Sequence, residues 1–91
     1  MDESRIIWDA ANRKHLGEGH PERQISIAEI EEVLADTEQI TAYLEARQAY
    51  ETLGRTRAGR RLLVAWIEQP EGKYPIHARQ AGRRTIRRRT Q

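Results

Sequence analysis

The sequence predicts a small α+β domain: an antiparallel sheet with helices packed on one face, in the order β-α-α-β-β-β-α. Three observations predict it. A capping box opens a stretch whose apolar residues recur at helical spacing. From residue 49 the hydrophobic period drops from 3.6 to two. Two turn signals, Arg57-Ala58-Gly59 and Gln69-Pro70-Glu71-Gly72, then divide this second half into three strands. With 91 residues the chain holds one core, so residues 1–91 are read as one domain ending in a basic helix or tail over 79–91.

Taken in order, Arg5–Trp8 is a short strand candidate, and Asp9 caps a brief helix through Ala10, Ala11 and Asn12 to His15, which Gly17 or Gly19 ends. Residues 17–21, with two glycines and a proline, read as a loop. Ser26-Ile27-Ala28-Glu29 is the capping box, flanked by Ile25 and Ile30 where a hydrophobic staple belongs. Ile27, Ile30, Val33 and Leu34 then form one stripe and Glu29, Glu31, Glu32 and Asp36 line the outside, predicting an amphipathic helix over 27–36. Residues 37–47 read equally as more helix or as loop. Ala49–Thr56 alternates, Arg61–Glu68 is apolar on both sides as a central strand is, and Lys73–Arg79 alternates again. Pro75 lacks an N–H to donate, which places that last strand at an edge. The segment Gln80–Thr90 has helical length but only Ala81 and Ile86 as apolar anchors.

Composition narrows the function. There is no cysteine, which removes disulfide scaffolds, zinc fingers and thiol nucleophiles together. The longest apolar run, Leu62–Ile67, is far short of the ~20 residues that span a bilayer. The opening Met1-Asp2-Glu3-Ser4 is acidic where a signal peptide is basic, so the expectation is a cytoplasmic protein with no membrane association. The net charge of +2 conceals a division. Residues 1–45 carry four basic against eleven acidic side chains, a balance of −7, whereas residues 46–91 carry twelve basic against three acidic, a balance of +9. Eleven of those twelve cations are arginine, whose planar fork matches phosphate oxygens bidentately. The second half therefore points to a polyanion as partner.

Turn lengths set which side chains share a face. With 56–59 and 69–72 as turns, Leu53 faces Leu62, Glu51 faces Val64, Trp66 faces Pro75, Val64 faces His77 and Leu62 faces Arg79. One sheet face then carries Tyr50, Thr52, Leu63, Ala65, Ile67, Tyr74, Ile76 and Ala78 and receives the helices. The other carries Glu51, Leu53, Arg55, Leu62, Val64, Trp66, His77 and Arg79, a cationic groove with one flat ring. Arginines neutralise phosphate and a tryptophan stacks a base, so this groove suits single-stranded RNA.

Four further patterns run along the chain: Trp8-x3-Asn12-x2-His15-x4-His20; Ile30-Glu31-Glu32-Val33-Leu34; Tyr50-x2-Leu53-Gly54-x-Thr56-x2-Gly59-Arg60; and Ile76-x-Ala78-Arg79-x-Ala81. Their order and spacing resemble the BrnT toxins of type II toxin–antitoxin modules, over about residues 5–89. The resemblance implies a fold similar to RelE-type ribonucleases and a cytoplasmic endoribonuclease that needs no metal or other cofactor. It implies RNA, including ribosome-associated mRNA, as substrate. It also implies a cognate antitoxin with a ribbon-helix-helix DNA-binding part as partner. Where members of that family carry Arg before the aromatic at Tyr50, and Glu and Tyr in the last helix, this chain has Ala49, Thr85 and Arg89. Those differences motivate a second reading, a non-catalytic RNA-binding or degenerate toxin-like module that only assembles with a partner.

Cleaving RNA without a metal takes a base for the 2′-hydroxyl, an acid for the leaving 5′-oxygen and cations for the phosphate. The candidates are Arg79 for the transition-state charge, His77 and His15 as acid or base, and Glu51 as base. Arg55, Arg60, Arg83 and Arg87 are candidates for phosphate contact, and Trp66 for stacking. Each has a plainer alternative: an ion pair for Arg79 and Glu51, exposed hairpin or helix positions for the other arginines, a surface strand for His77, helix-end packing for His15. His15 and His20 are five residues apart, off a shared helical face, which argues against a metal site.

Overall fold

The computed structural model describes residues 5–18 and 24–90; Gly19, His20 and Pro21 of the expected loop lie outside them, as does Met1–Ser4, whereas Gly17 and Glu18, expected to end the first helix and open that loop, are still helical. It contains α1 (Ala10–Arg13), which continues as a π-helical turn over Lys14–Glu18, then α2 (Ile27–Ala35), strands β1 (Ile40–Leu44), β2 (Ala49–Arg55), β3 (Arg61–Gln69) and β4 (Gly72–Gln80), and α3 (Arg83–Thr90). The strands form one antiparallel meander in the order β1-β2-β3-β4. The fold is thus α+β as expected, with four strands instead of three in the second part.

Both helix starts follow from their caps. The Asp9 carboxylate accepts from the Asn12 N–H and the Asn12 side chain accepts from the Asp9 N–H. Ser26 and Glu29 exchange the same pair of bonds at the start of α2. The stripe of α2 buries Ile30, Val33 and Leu34 with Leu16, Ile25, Leu62, Val64, Trp66 and Ala78. Gly54 lets α2 approach β2, since a Cβ there would stand 2.8 Å from the Val33 carbonyl oxygen.

Further expectations change. Residues 40–44, read as helix or loop, are β1; the β1–β2 turn is built by Gln48 at φ 52 without glycine or proline, so no punctuation marks it. The strand expected over Arg5–Trp8 contracts to a single parallel bridge between Ile6 and Lys73, at the β4 edge that Pro75 occupies. The first hairpin closes on Arg55 opposite Arg61, one residue later than expected, because Thr56 and Arg60 belong to the loop: the Thr56 N–H donates to the Arg60 carbonyl and the Arg60 N–H to Thr56 Oγ1. Finally, the helices are not confined to one face. Ile86 of α3 packs against Leu53 and Leu63, on the side of the sheet opposite to α2.

The second hairpin pairs Glu68 with Lys73 and Trp66 with Pro75, as expected, and then a bulge at Ile76 shifts the register so that Ala65 faces His77 and Leu63 faces Arg79. The shift at the first turn and the bulge cancel between β2 and β4. Glu51, Leu53, Arg55, His77 and Arg79 still share one face, but with Leu63 and Ala65 between them. Leu62, Val64 and Trp66 turn to the α2 side.

Candidate functional site

The face away from α2 is organised in rows that run across the sheet. One row reads Ala42, Glu51, Ala65, His77, and the next Ile40, Leu53, Leu63, Arg79. A third begins with Arg55 opposite Arg61. Ala65 leaves Glu51 and His77 standing on either side of a low floor. Their backbones are two strand spacings apart, roughly 9.5 Å.

Over this floor lies α3. Ile86 fastens it to Leu53 and Leu63, and one turn later Arg89 reaches down to donate a hydrogen bond to Glu51 Oε1. The other carboxylate oxygen lies 3.6 Å from Arg47 Nη1. Glu51 is 8% exposed and is thus a buried acid held between two guanidiniums. Arg79 donates to Thr85 Oγ1 at 3.3 Å and to the Gln80 carbonyl at 3.5 Å, so it braces the start of α3 while staying solvent-exposed. Arg83, Arg84, Arg87 and Arg88 are exposed along α3. Arg83 and Arg84 stand in its first turn and oppose the helix dipole there.

Arg55 and Arg61 lie directly opposite each other on neighbouring strands, where like charges destabilise a sheet. The Arg55 N–H donates to Asp36 Oδ2 at 2.9 Å and the Glu38 N–H to Asp36 Oδ1 at 3.0 Å. These two backbone donors, Glu38 first, hold the Asp36 carboxyl below the ordinary aspartate range.

Three candidates stand elsewhere. Trp66 is 7% exposed on the α2 side, stacked on Tyr50 at 4.5 Å between ring centroids, covered by Lys73 Nζ at 4.8 Å, and donating from Nε1 to Thr52 Oγ1 at 2.8 Å. It is a core residue, not a platform for a base. Arg60 is a clamp: Nη1 donates to the Gln24 carbonyl at 2.8 Å and to Glu29 at 3.2 Å, and Nη2 reaches Gln80 Oε1 at 3.5 Å. His15 is exposed on the π-helical turn that packs against β4, beside the Leu16 that anchors the turn in the α2-side core.

Arg47, Arg61 and Arg89 join the face without having been expected there. Arg61 replaces Arg60 through the one-residue shift, and the arginine-rich composition of the last helix is the only sequence signal for Arg89. Among the described residues no group of three or more His, Asp or Glu side chains is gathered as a metal site, and no helix is long and apolar enough to cross a membrane. No protein-family model matches the chain, and no curated protein matches it.

Proposed function

We propose that this protein is an RNA-cleaving enzyme of the toxin type, acting without a metal and held in check by an antitoxin with a ribbon-helix-helix part. One observation carries the reading: an acid, a histidine and a set of arginines share a single sheet face, with the acid and the histidine on opposite sides of an alanine. The resemblance to BrnT and RelE-type toxins along the chain supports it.

In this reading RNA lies across the face with the scissile phosphate above Ala65. The Glu51 carboxylate takes the proton from the 2′-hydroxyl as that oxygen attacks phosphorus. The bond from phosphorus to the 5′-oxygen breaks, and His77 returns a proton to that leaving oxygen. The products are a 2′,3′-cyclic phosphate and a free 5′-hydroxyl. Arg79 and Arg89 face the charge that gathers on the phosphoryl oxygens. Arg55, Arg83 and Arg87 hold flanking phosphates. Ala65 is 3% and Glu51 8% exposed on the face that α3 covers, so substrate entry requires α3 to lift from the sheet and Arg89 to exchange its bond with Glu51 for one with phosphate.

Incubating purified protein with single-stranded RNA in EDTA tests the proposal. Fragments with cyclic phosphate ends, and their loss in Glu51→Gln and Arg79→Ala, are the expected result; intact RNA overturns it. Arg89 and Arg47 already occupying Glu51 favour a second reading, a basic RNA-binding module without catalysis. Salt-dependent binding with no cleavage selects that one.

A further inference from the structure

At the end of the sheet where β2 stops and β3 starts, next to the Glu51 row, lies a cavity of about 120 Å³. Pockets for drug-sized ligands run to roughly 300–1,000 Å³, so this one admits a single planar ring system. Ile40 and Leu53, cross-strand partners, give it an apolar wall. Arg55 and Arg61 supply guanidiniums, Glu38 a carboxylate, and Thr90 closes the side next to Arg89. Leu53 follows Glu51 by two residues on the same face, ~7 Å along the strand, within one nucleotide of the proposed catalytic row.

The two acids at this cavity are not equivalent. Both Asp36 oxygens accept backbone N–H bonds, whereas the Glu38 carboxylate is exposed and has no hydrogen bond among the described residues. Glu38, whose carboxylate can accept two parallel N–H bonds, and Arg61, whose guanidinium can donate two, line the same cavity as Ile40 and Leu53. Guanine is the base that meets both demands. Its N1–H and N2–H form a donor pair, and its O6 and N7 form an acceptor pair. Adenine, cytosine and uracil each lack the double donor.

We infer that this cavity is a guanine-recognition subsite for the RNA strand, with Glu38 accepting from N1–H and N2–H, Arg61 donating to O6 and N7, and the ring lying against Ile40 and Leu53. Arg55, more exposed than Arg61, is left for the adjoining phosphate. The inference rests on the RNA-cleaving reading for its ligand, and its test does not need cleavage.

Fluorescence anisotropy on 2′-O-methylated pentanucleotides of uridine with G, A, C or U at the centre measures base choice on strands that cannot be cut. The guanine strand is expected to bind about tenfold or more tightly than the others, the range of one bidentate base contact. In Glu38→Gln, a change at an exposed position, that preference should fall to within about twofold while the all-uridine affinity is kept. Equal affinity for all four strands overturns the inference, as does a preference that survives Glu38→Gln. Free GMP binding as tightly as the guanine strand overturns the assignment to RNA. Guanine preference with unmodified RNA left intact sinks the ribonuclease reading and keeps the subsite; cleavage without base preference does the reverse.

Discussion

Arg89, in the last turn of α3, donates to the carboxylate of Glu51 in the middle of the sheet, closing a loop of 38 residues. The helix has few other anchors, since Ile86 is its one apolar contact with Leu53 and Leu63. Removing one partner of a fully buried pair costs ~3–5 kcal/mol. Here Arg89 is 27% exposed and Arg47 stays near Glu51, so Arg89→Ala is expected to cost about 1–2 kcal/mol. A double-mutant cycle with Glu51→Gln, read by urea denaturation, should return a coupling of at least ~0.5 kcal/mol. Additive effects would show that the bond does not hold the helix down.

Trp66 separates structure from RNA binding. Its Nε1–H is bonded to Thr52 Oγ1, and Thr52 also bonds Thr41 at 2.8 Å, so the indole is the buried end of a polar chain that reaches the surface at Thr41. Trp66→Phe deletes that donor and should cost ~1–3 kcal/mol in thermal or urea unfolding. RNA affinity per folded molecule should not change. A selective loss of RNA affinity would restore Trp66 as a stacking surface.

The helix caps, the stripe of α2 and three of the four strands were legible because each has a local cause: Ser26 with Glu29, the spacing of Ile30, Val33 and Leu34, the glycines of two turns. The site was only half legible, because face membership depends on counting residues through turns. Thr56 bonding Arg60 lengthens one loop by a residue, and Ile76 bulging in β4 shifts the other hairpin. The two errors cancel for Glu51, His77 and Arg79 and do not cancel for Trp66. Pro75 was the available hint, since a proline inside a strand favours a bulge as well as an edge. β1 left no comparable trace, its turn being made by Gln48 at positive φ.

Acid should loosen the helix ends, the α1 cap included, since the Asn12 N–H and then the Tyr74 hydroxyl hold the Asp9 carboxyl below the ordinary aspartate range. Glu29 is held below its ordinary 4.5 by the Ser26 N–H and then Arg60, and Asp36 below its ordinary 3.8 by the Glu38 and Arg55 N–H groups. A carboxyl with a depressed folded pKa contributes stability that is fully present above its unfolded value and lost as pH falls through the folded one. Urea midpoints should therefore be level above about pH 5 and fall steadily below it. Asp36→Asn should flatten that acid slope; a slope unchanged in this variant would remove Asp36 from the account.

Gly54 tests how tightly α2 is seated. Gly54→Ala places a methyl 2.8 Å from the Val33 carbonyl oxygen and 2.9 Å from its Cγ1, contacts that force α2 away from β2. Overpacking of this kind costs ~1–3 kcal/mol. Near-UV circular dichroism and the urea midpoint should both respond, with the α3 side of the sheet little affected. An unchanged midpoint would mean that the helix already rides higher than these distances imply.

The Arg55–Arg61 pair should divide into two roles. Both guanidiniums sit at one cross-strand position, so neutralising either relieves a repulsion worth a few tenths of a kcal/mol at low salt, and neither variant should be less stable than the parent. In the proposed arrangement Arg55 lies on a phosphate, where it would contribute to counterion release. Arg55→Ala should reduce the slope of log K against log salt by roughly 0.7, the value for one contact to single-stranded nucleic acid, with guanine preference kept. Arg61, on the base edge, should do the opposite: Arg61→Ala keeps the salt slope and loses the preference for guanine. If both variants lower the slope equally and leave base choice alone, the pair is a phosphate clamp and the cavity beside it reads no base.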